Sequence, residues 1–161
     1  MKALVMSDSH GSVDSIRYLC GEAWKRTGPV DAYFHLGDGA GDFRALEAFF
    51  HAHDPEAVLE NVRGNCDFYA PNVPEQKTVR FGGTSILLTH GHHLCVKQGL
   101  YLLDDEAVRQ DCTIALYGHT HEPAMDMHSV LMINPGSVQD GRIAFLEVTE
   151  GRPRVELWHF Q

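Results

Sequence analysis

The chain has 161 residues, of which 43% are hydrophobic and 22% charged, and its formal net charge is -9 at pH 7. This length and composition predict one soluble globular domain, spanning residues 1–161, with a sizeable core. The acidic balance argues against strong nucleic-acid binding, because nonspecific affinity for phosphates depends on Lys and Arg.

No apolar run is long enough to span a bilayer, and Ser7 and Asp8 interrupt the apolar start too early for a signal peptide. We therefore expect a cytoplasmic protein with no membrane partner. The four cysteines are widely spaced, which is typical of reduced thiols in such a compartment.

The first part of the chain alternates between apolar strand patterns and helical spacing. In order, the pattern predicts strand 2–6, helix 13–26, strand 32–36, a helix with Phe43, Leu46 and Phe50 on one face, and strand 57–62. This alternation predicts a parallel sheet with right-handed crossovers.

The second part is richer in strands. The pattern predicts a hairpin of strands 77–81 and 85–89, a helix over 97–109, a strand at 114–117, and short strands near 125, 130–133, 143–148 and 155–160.

Five of these strands end in side chains that can bind metal. The candidates are Asp8 and His10, Asp38, Asn65, His90, and His119 with His121. In open α/β sheets, ligands collect beyond the carboxyl ends of the strands. Five clusters at strand ends therefore predict one shared metal site.

Spacing within two of the clusters suggests how they work. Asp8 and His10 are two residues apart, as are His119 and His121. Alternate residues of a strand face the same side, so we expect each pair to direct both side chains into one cavity.

The seven candidates comprise two carboxylates, four imidazoles and one amide. Mixed nitrogen and oxygen ligands suit Mn, Fe, Zn, Ni or Co better than calcium. Seven ligands exceed the needs of one ion but suit two ions that share a carboxylate. Two divalent cations would leave the site positively charged, which favours a phosphate, and would supply a hydroxide nucleophile at neutral pH.

The combined motifs resemble those of the calcineurin-like metallophosphoesterases, with the small YfcE-type branch as the most similar. The resemblance rests on Asp8-Ser9-His10, Gly37-Asp38, Gly64-Asn65-Cys66-Asp67, Thr89-His90-Gly91-His92, Gly118-His119-Thr120-His121 and Asn134-Pro135-Gly136-Ser137. It implies an α/β fold of two stacked mixed β-sheets flanked by helices. It also implies that Asp8, His10, Asp38 and His121 bind one metal, that Asp38, Asn65, His90 and His119 bind the other, and that Asp38 is the bridge.

The resemblance further implies a metal-dependent phosphoesterase, with phosphodiesterase activity favoured. A hydroxide bridging two metals, most readily Mn²⁺, would attack a small phosphate ester. The alternatives are a non-catalytic metal-binding scaffold of the Vps29 type and a nuclease. A homo-oligomer is a further possibility that the residues leave open.

One position departs from the pattern of many relatives. Cys66 stands where they carry a histidine that protonates the leaving group, and a thiol is a poor acid for that task. His92 is the candidate to assist, either by contacting the substrate phosphate or by orienting His90. Asn65 is a candidate for substrate binding as well as a ligand.

Each candidate also has a structural interpretation. Asp8 could be a helix cap and Asp38 or Asn65 a turn residue, although the other clusters favour ligation. Cys66 could be a packing residue, and Asp67 could orient a neighbour or receive substrate. The remaining histidines are expected to be structural or surface residues, namely His35, His51, His53, His93, His128 and His159.

Overall fold

The computed structural model describes residues 1–161, which form ten strands and four α-helices. The strands are β1 (Lys2–Met6), β2 (Ala32–His35), β3 (Val58–Asn61), β4 (Gln76–Phe81), β5 (Thr84–Thr89), β6 (Ile114–Leu116), β7 (Ala124–Met127), β8 (Leu131–Asn134), β9 (Arg142–Thr149) and β10 (Arg152–His159). The helices are α1 (Val13–Thr27), α2 (Ala40–Ala45), α3 (Glu47–His53) and α4 (Tyr101–Arg109).

The strands form two mixed sheets of five strands each. The first has the order β10-β9-β1-β2-β3, and the second has the order β4-β5-β6-β8-β7. β1, β2 and β3 are parallel, as the alternating pattern of the first part predicts. β5, β6 and β8 are the parallel strands of the second sheet.

The two sheets stack face to face across a shared apolar layer. Val5 and Phe34 of the first sheet pack with Ile86 and Leu116 of the second, all of them buried. Phe34 and Phe81 meet edge to face across the layer, with ring centroids 5.4 Å apart. Burial of this inner face is the main force that holds the sheets together.

Helices cover the outer faces because strand residues alternate between the two sides. Leu4 and Tyr33, which neighbour inner-face residues, pack with α1 and α3 through Leu19 and Phe50. Leu103 of α4 packs on the outer face of the second sheet. The predicted fold of two stacked mixed sheets flanked by helices is therefore confirmed.

Two helix predictions need correction. The helix expected to carry Phe43, Leu46 and Phe50 is broken at Leu46, where the backbone leaves helical geometry and α3 begins. All three side chains are still buried in one cluster, so the predicted face is right. α4 begins at Tyr101 instead of residue 97, because Gly99 has a φ of 156° that no helix accommodates. No helix has the length and apolar character that crossing a bilayer requires.

Candidate metal centre

The predicted ligands lie on loops that follow β1, β2, β3, β5 and β6. Because these strands are parallel within each sheet and the sheets are stacked, their carboxyl ends open on one edge of the molecule. Six of the seven predicted ligands fall into two groups of closely spaced ligand atoms there, Asp8 with His10 and His121, and Asp38 with His90 and His119.

The first group surrounds Asp8. Its Oδ1 is 3.2 Å from Nε2 of His121 and 3.6 Å from Nε2 of His10. The two imidazole nitrogens are 3.3 Å from each other. Asp8 is fully buried, whereas the His121 side chain is 40% exposed, so this group opens toward solvent on its histidine side.

The second group surrounds Asp38. Its Oδ2 is 3.3 Å from Nε2 of the buried His90, and the same oxygen is 3.8 Å from Nε2 of His10. His90 and His119 meet edge to face, with ring centroids 5.0 Å apart. Asp38 therefore touches a histidine of each group, and the two groups form one continuous cluster.

The loop backbones explain how the pairs converge, and they correct the argument from strand alternation. Asp8 and His10 follow β1 in a turn, with φ values of 56° and 44°, and His119 and His121 have φ values of 70° and 64°. Together with Asp38, they make up five of the eight non-glycine residues with positive φ. Such conformations are costly and cluster at functional sites. His119 and His121 lie in the two different groups of this one continuous cluster.

Buried hydrogen bonds orient Asp8 and His90. The Ser7 hydroxyl and the His119 backbone N–H donate to Oδ2 of Asp8, at 2.6 and 3.1 Å, which leaves Oδ1 for the site. Nδ1 of His90 lies 2.7 Å from the carbonyl of Leu36, and since a carbonyl only accepts, Nδ1 carries the hydrogen. Nε2 is therefore the ring nitrogen that faces the cluster and is available to bind a metal ion.

Two atoms of the cluster are buried without any hydrogen-bond partner, Asp8 Oδ1 and His90 Nε2. Leaving such atoms unsatisfied is costly, and proteins rarely do so without a functional reason. Both are good ligands for a divalent transition metal, and each faces further Asp and His side chains. The residues present therefore fit the metal chemistry that the sequence predicts.

Asp67 organises the loops that carry Asp38 and Asn65. Its carboxylate accepts four backbone hydrogen bonds, from Asp38 at 2.7 Å, Gly64 at 2.8 Å, Gly39 at 2.9 Å and Ala40 at 3.0 Å. It thus ties the loop after β2 to the loop after β3. Of the two roles expected for Asp67, the structure supports orientation of its neighbours.

Asn134 and Ser137 donate hydrogen bonds to the loops that follow β6 and β1, a role that the sequence did not reveal. Asn134 Nδ2 donates to the carbonyl of Gly118 at 3.0 Å, and the Ser137 hydroxyl donates to the carbonyl of Asp8 at 2.9 Å. Gly118 is required by close packing, because a Cβ there would lie 2.0 Å from Oγ of Ser7. The typical Asn-Pro-Gly-Ser motif was the only signal pointing to this support.

The ionisation of the cluster follows from burial and charge. Burial alone raises the pKa of Asp38, but His90 and the backbone N–H of Cys66 outweigh it, so the pKa lies below its ordinary value. Burial lowers the pKa of His90, but Asp38 and Asp8 outweigh it and raise the pKa. Burial, with the charges of His90 and Lys97, lowers the pKa of His119 to about 4, which keeps it neutral as a ligand must be.

Asn65 and Cys66 lie exposed beside the cluster. The one side-chain hydrogen bond of Asn65 runs from Nδ2 to Sγ of Cys66, at 3.5 Å, so its ligand role stays a prediction. Cys66 joins His10 and Asp38 in a third group of closely spaced ligand atoms. Desolvation and the carboxylates of Asp38 and Asp67 raise the pKa of the Cys66 thiol, which is therefore protonated at neutral pH.

His92 borders the second group. Its ring centroid is 5.4 Å from that of His90 and 6.1 Å from that of His119, and its Nδ1 is buried without a hydrogen-bond partner. Desolvation and the charges of His93 and His90 lower its pKa, so the ring is neutral at pH 7. Its substrate and catalytic roles stay predictions. His93 pairs with Glu75 at 3.0 Å, away from the cluster.

His35 is a structural residue, as expected. It is fully buried, and the backbone N–H of Gly37 donates to its Nδ1 at 3.2 Å, so Nε2 carries the hydrogen and donates to Oγ of Ser9 at 3.1 Å. The Ser9 hydroxyl in turn donates to Asp42. This chain requires a neutral ring, and burial accordingly lowers the pKa of His35 to about 4.

Sequence comparison identifies the family. Residues 1–149 match the calcineurin-like phosphoesterase superfamily domain. The chain belongs to that superfamily. It is 33% identical over 144 residues to the probable metallophosphoesterase YsnB of Bacillus subtilis, an alignment that covers 89% of this chain and 78% of YsnB.

Structural comparison agrees with this assignment. A predicted phosphoesterase from Streptococcus pneumoniae has 33% identity and a TM-score of 0.74, covering 98% of this chain and 88% of that chain. An archaeal phosphodiesterase has 22% identity, a TM-score of 0.73 and coverage of 98% and 100%. Vps29 of Entamoeba histolytica, in complex with Zn²⁺, has 19% identity, a TM-score of 0.71 and coverage of 98% and 98%. The last two share the fold. A phosphodiesterase and Vps29 therefore share this architecture.

Proposed function

We propose that the protein is a dinuclear-metal phosphoesterase that hydrolyses a small phosphate ester, with diesters preferred. The observation that carries the proposal is the continuity of the two ligand groups through Asp38, whose Oδ2 lies 3.3 Å from His90 and 3.8 Å from His10. A carboxylate in that position suits a bridge between two cations.

Asp8, His10, Asp38 and His121 would hold one cation, and Asp38, Asn65, His90 and His119 the other. We propose Mn²⁺ as the physiological metal. Nitrogen and oxygen donors of this kind also accept Fe, Ni, Zn and Co. Divalent cations bound there would polarise the phosphoryl oxygens and lower the pKa of water to about 7.

The side chains divide this work by their depth. Asp8 and His90 are fully buried and hold the rear of the site in a fixed geometry. His10 and His121 are partly exposed, with 25% and 40% of their side chains accessible, and border the face from which a substrate approaches. Asp38, with its pKa held low, stays ionised and supplies negative charge at the centre.

The lack of a strong acid sets the class of ester. The Cys66 thiol and the neutral His92 ring lie beside the cluster, and neither is a strong proton donor at pH 7. Substrates whose leaving groups depart without protonation are therefore favoured. The name of the archaeal relative, a phosphodiesterase, supports the preference for diesters.

Hydrolysis of bis-p-nitrophenyl phosphate tests the proposal. We expect Mn²⁺-dependent turnover that chelation abolishes, loss of turnover in His119→Ala, and unchanged turnover in His128→Ala, a matched change at an exposed histidine. Absence of turnover in the metal-loaded protein would contradict the proposal and favour a scaffold of the Vps29 type. Cleavage of single- or double-stranded DNA with Mn²⁺ would favour a nuclease instead.

A further inference from the structure

A cavity of about 400 Å³ adjoins the metal centre. Its wall contains His10, Asp38 and Cys66, which belong to the cluster already described. The wall also contains Phe68, Tyr69 and Ala70, on the loop that follows β3. A molecule whose phosphate sits at the metals would therefore share one cavity with these aromatic residues.

Phe68 and Tyr69 are unusually exposed for aromatic side chains. Phe68 is 81% exposed and Tyr69 is 99% exposed, the highest values among the large hydrophobic residues. Adjacent exposed aromatic side chains that line a cavity are typical of a surface that binds a ligand. Nothing in the packing of the chain explains these two side chains.

The loop that bears them is anchored on both sides. Asp67, directly before Phe68, holds four backbone N–H groups of neighbouring loops. Ala70, directly after Tyr69, is buried against Ala40 and Val73. The two rings are thus presented from a fixed base, which limits the entropy lost when a ligand binds.

Two glycines keep space open in the cavity wall. A Cβ at Gly11 or Gly41 would meet no atom within 4 Å, so a larger side chain at either position would project into free space. Gly41 lies in the helix α2 and has no positive φ, so its backbone does not require glycine. Its small size instead leaves room for a ligand.

The charges of the wall restrict what can occupy that room. Apart from Tyr69, its ionisable side chains are His10, Cys66 and three carboxylates, Asp38, Asp42 and Asp67, and it contains no Lys or Arg. A second anionic group on the substrate would be repelled there. An uncharged planar ring suits both the carboxylates and the exposed aromatic faces.

We propose that Phe68 and Tyr69 form an aromatic platform on which the substrate stacks an uncharged planar ring attached to its phosphate. The substrates would then be aryl or nucleoside phosphate esters, which share this chemistry. The inference deepens the proposed function and rests on it, because the ring is placed by a phosphate bound at the metals.

Binding of paired ligands to the Mn²⁺-loaded protein, measured by calorimetry, tests the platform. The phosphonate pair does so without turnover, because a phosphonate carries a P–C bond in place of the ester bond. Phenylphosphonate and methylphosphonate differ only in the ring, and adenosine monophosphate and ribose 5-phosphate differ in the nucleobase. Stacking on aromatic side chains predicts about fivefold to 150-fold tighter binding of the ring-bearing member of a pair.

The variants separate the platform from the metal site. The double variant Phe68→Ala/Tyr69→Ala should lose the preference for the ring and retain the wild-type Kd for methylphosphonate. Gly41→Leu, which adds a side chain to the cavity wall, should weaken binding of phenylphosphonate alone. Tyr101→Ala removes a tyrosine that is 78% exposed and lies outside the cavity, and it should change the Kd of neither ligand.

The outcomes distinguish the two proposals. Tighter binding of phenylphosphonate than of methylphosphonate, with equal binding of adenosine monophosphate and ribose 5-phosphate, assigns the platform to aryl esters. Tighter binding of the ring-bearing ligand in both pairs extends it to nucleoside esters. Equal binding within both pairs, with methylphosphonate bound and esters hydrolysed, overturns the platform and leaves the phosphoesterase intact. No binding of methylphosphonate together with no hydrolysis overturns the proposed function itself.

Discussion

Replacement of Asp67 by asparagine tests whether the loops around Asp38 are held by its carboxylate. Each oxygen of Asp67 accepts two backbone hydrogen bonds, Oδ1 from Gly39 and Ala40, and Oδ2 from Asp38 and Gly64. Asparagine keeps one oxygen for one pair of donors and turns an NH₂ group toward the other pair. Two bonds are therefore lost.

The magnitude follows from the type of bond and its exposure. A hydrogen bond to a charged group contributes about 1.5–3 kcal/mol when intact. Asp67 is half-buried, so water replaces part of the loss, and we expect the free energy of unfolding to fall by about 2 kcal/mol. Loosening of the loop that carries Asp38 should also weaken Mn²⁺ binding by about 10- to 100-fold.

Urea denaturation of chelator-treated protein measures the free energy of unfolding, and Mn²⁺ titration calorimetry measures the affinity for the metal. Asp105→Asn is the matched control, since Asp105 is exposed on α4 and accepts no hydrogen bond across the fold. Unchanged stability and unchanged Mn²⁺ affinity in Asp67→Asn would refute the positioning role of this carboxylate.

Three further predictions follow from the structure. The pKa of His35 is 6.5 in the unfolded chain and about 4 in the folded protein, so the unfolded chain binds a proton more tightly. The free energy of unfolding should therefore decrease by about 2–3 kcal/mol as the pH falls from 6.5 toward 4. Urea melts at several pH values should show a weaker dependence in His35→Gln; an identical dependence would contradict this. Gly118→Ala should lower the free energy of unfolding by about 2 kcal/mol, because the added methyl group clashes with Ser7. Gly21→Ala, in open space on α1, should raise it slightly. Urea melts in which Gly118→Ala is the more stable variant would contradict the close packing at Gly118. Cys66→His should accelerate hydrolysis of esters with poor leaving groups by up to about 100-fold and leave the hydrolysis of p-nitrophenyl esters little changed. Rates across a series of leaving groups measure this effect. If the rate depends on the leaving-group pKa as steeply in the variant as in the wild type, the claim that position 66 lacks a proton donor is wrong.

Much of the site was predictable because each ligand follows an apolar strand. The runs before Asp8, Asp38 and His90 mark strands that are parallel within each sheet, and the ends of such strands meet at one edge. The family motifs then indicated two stacked sheets, which the hydrophobic pattern alone does not specify. The pattern also identified His35 as a structural residue.

The remaining features depend on contacts between distant segments. His119 and His121 both reach the cluster, but their positive φ values show that a loop conformation and not strand alternation brings them there. The break of the second predicted helix at Leu46 preserves the buried face and cannot be seen in its spacing. The four hydrogen bonds of Asp67 join two loops, and only the assembled fold brings their donors together.

Anomalous diffraction from crystals of the Mn²⁺-loaded protein tests the central claim most directly. The account predicts two peaks, one beside Asp8, His10 and His121 and the other beside His90 and His119, with Asp38 in contact with both. A single peak, or peaks away from these side chains, would contradict the dinuclear site.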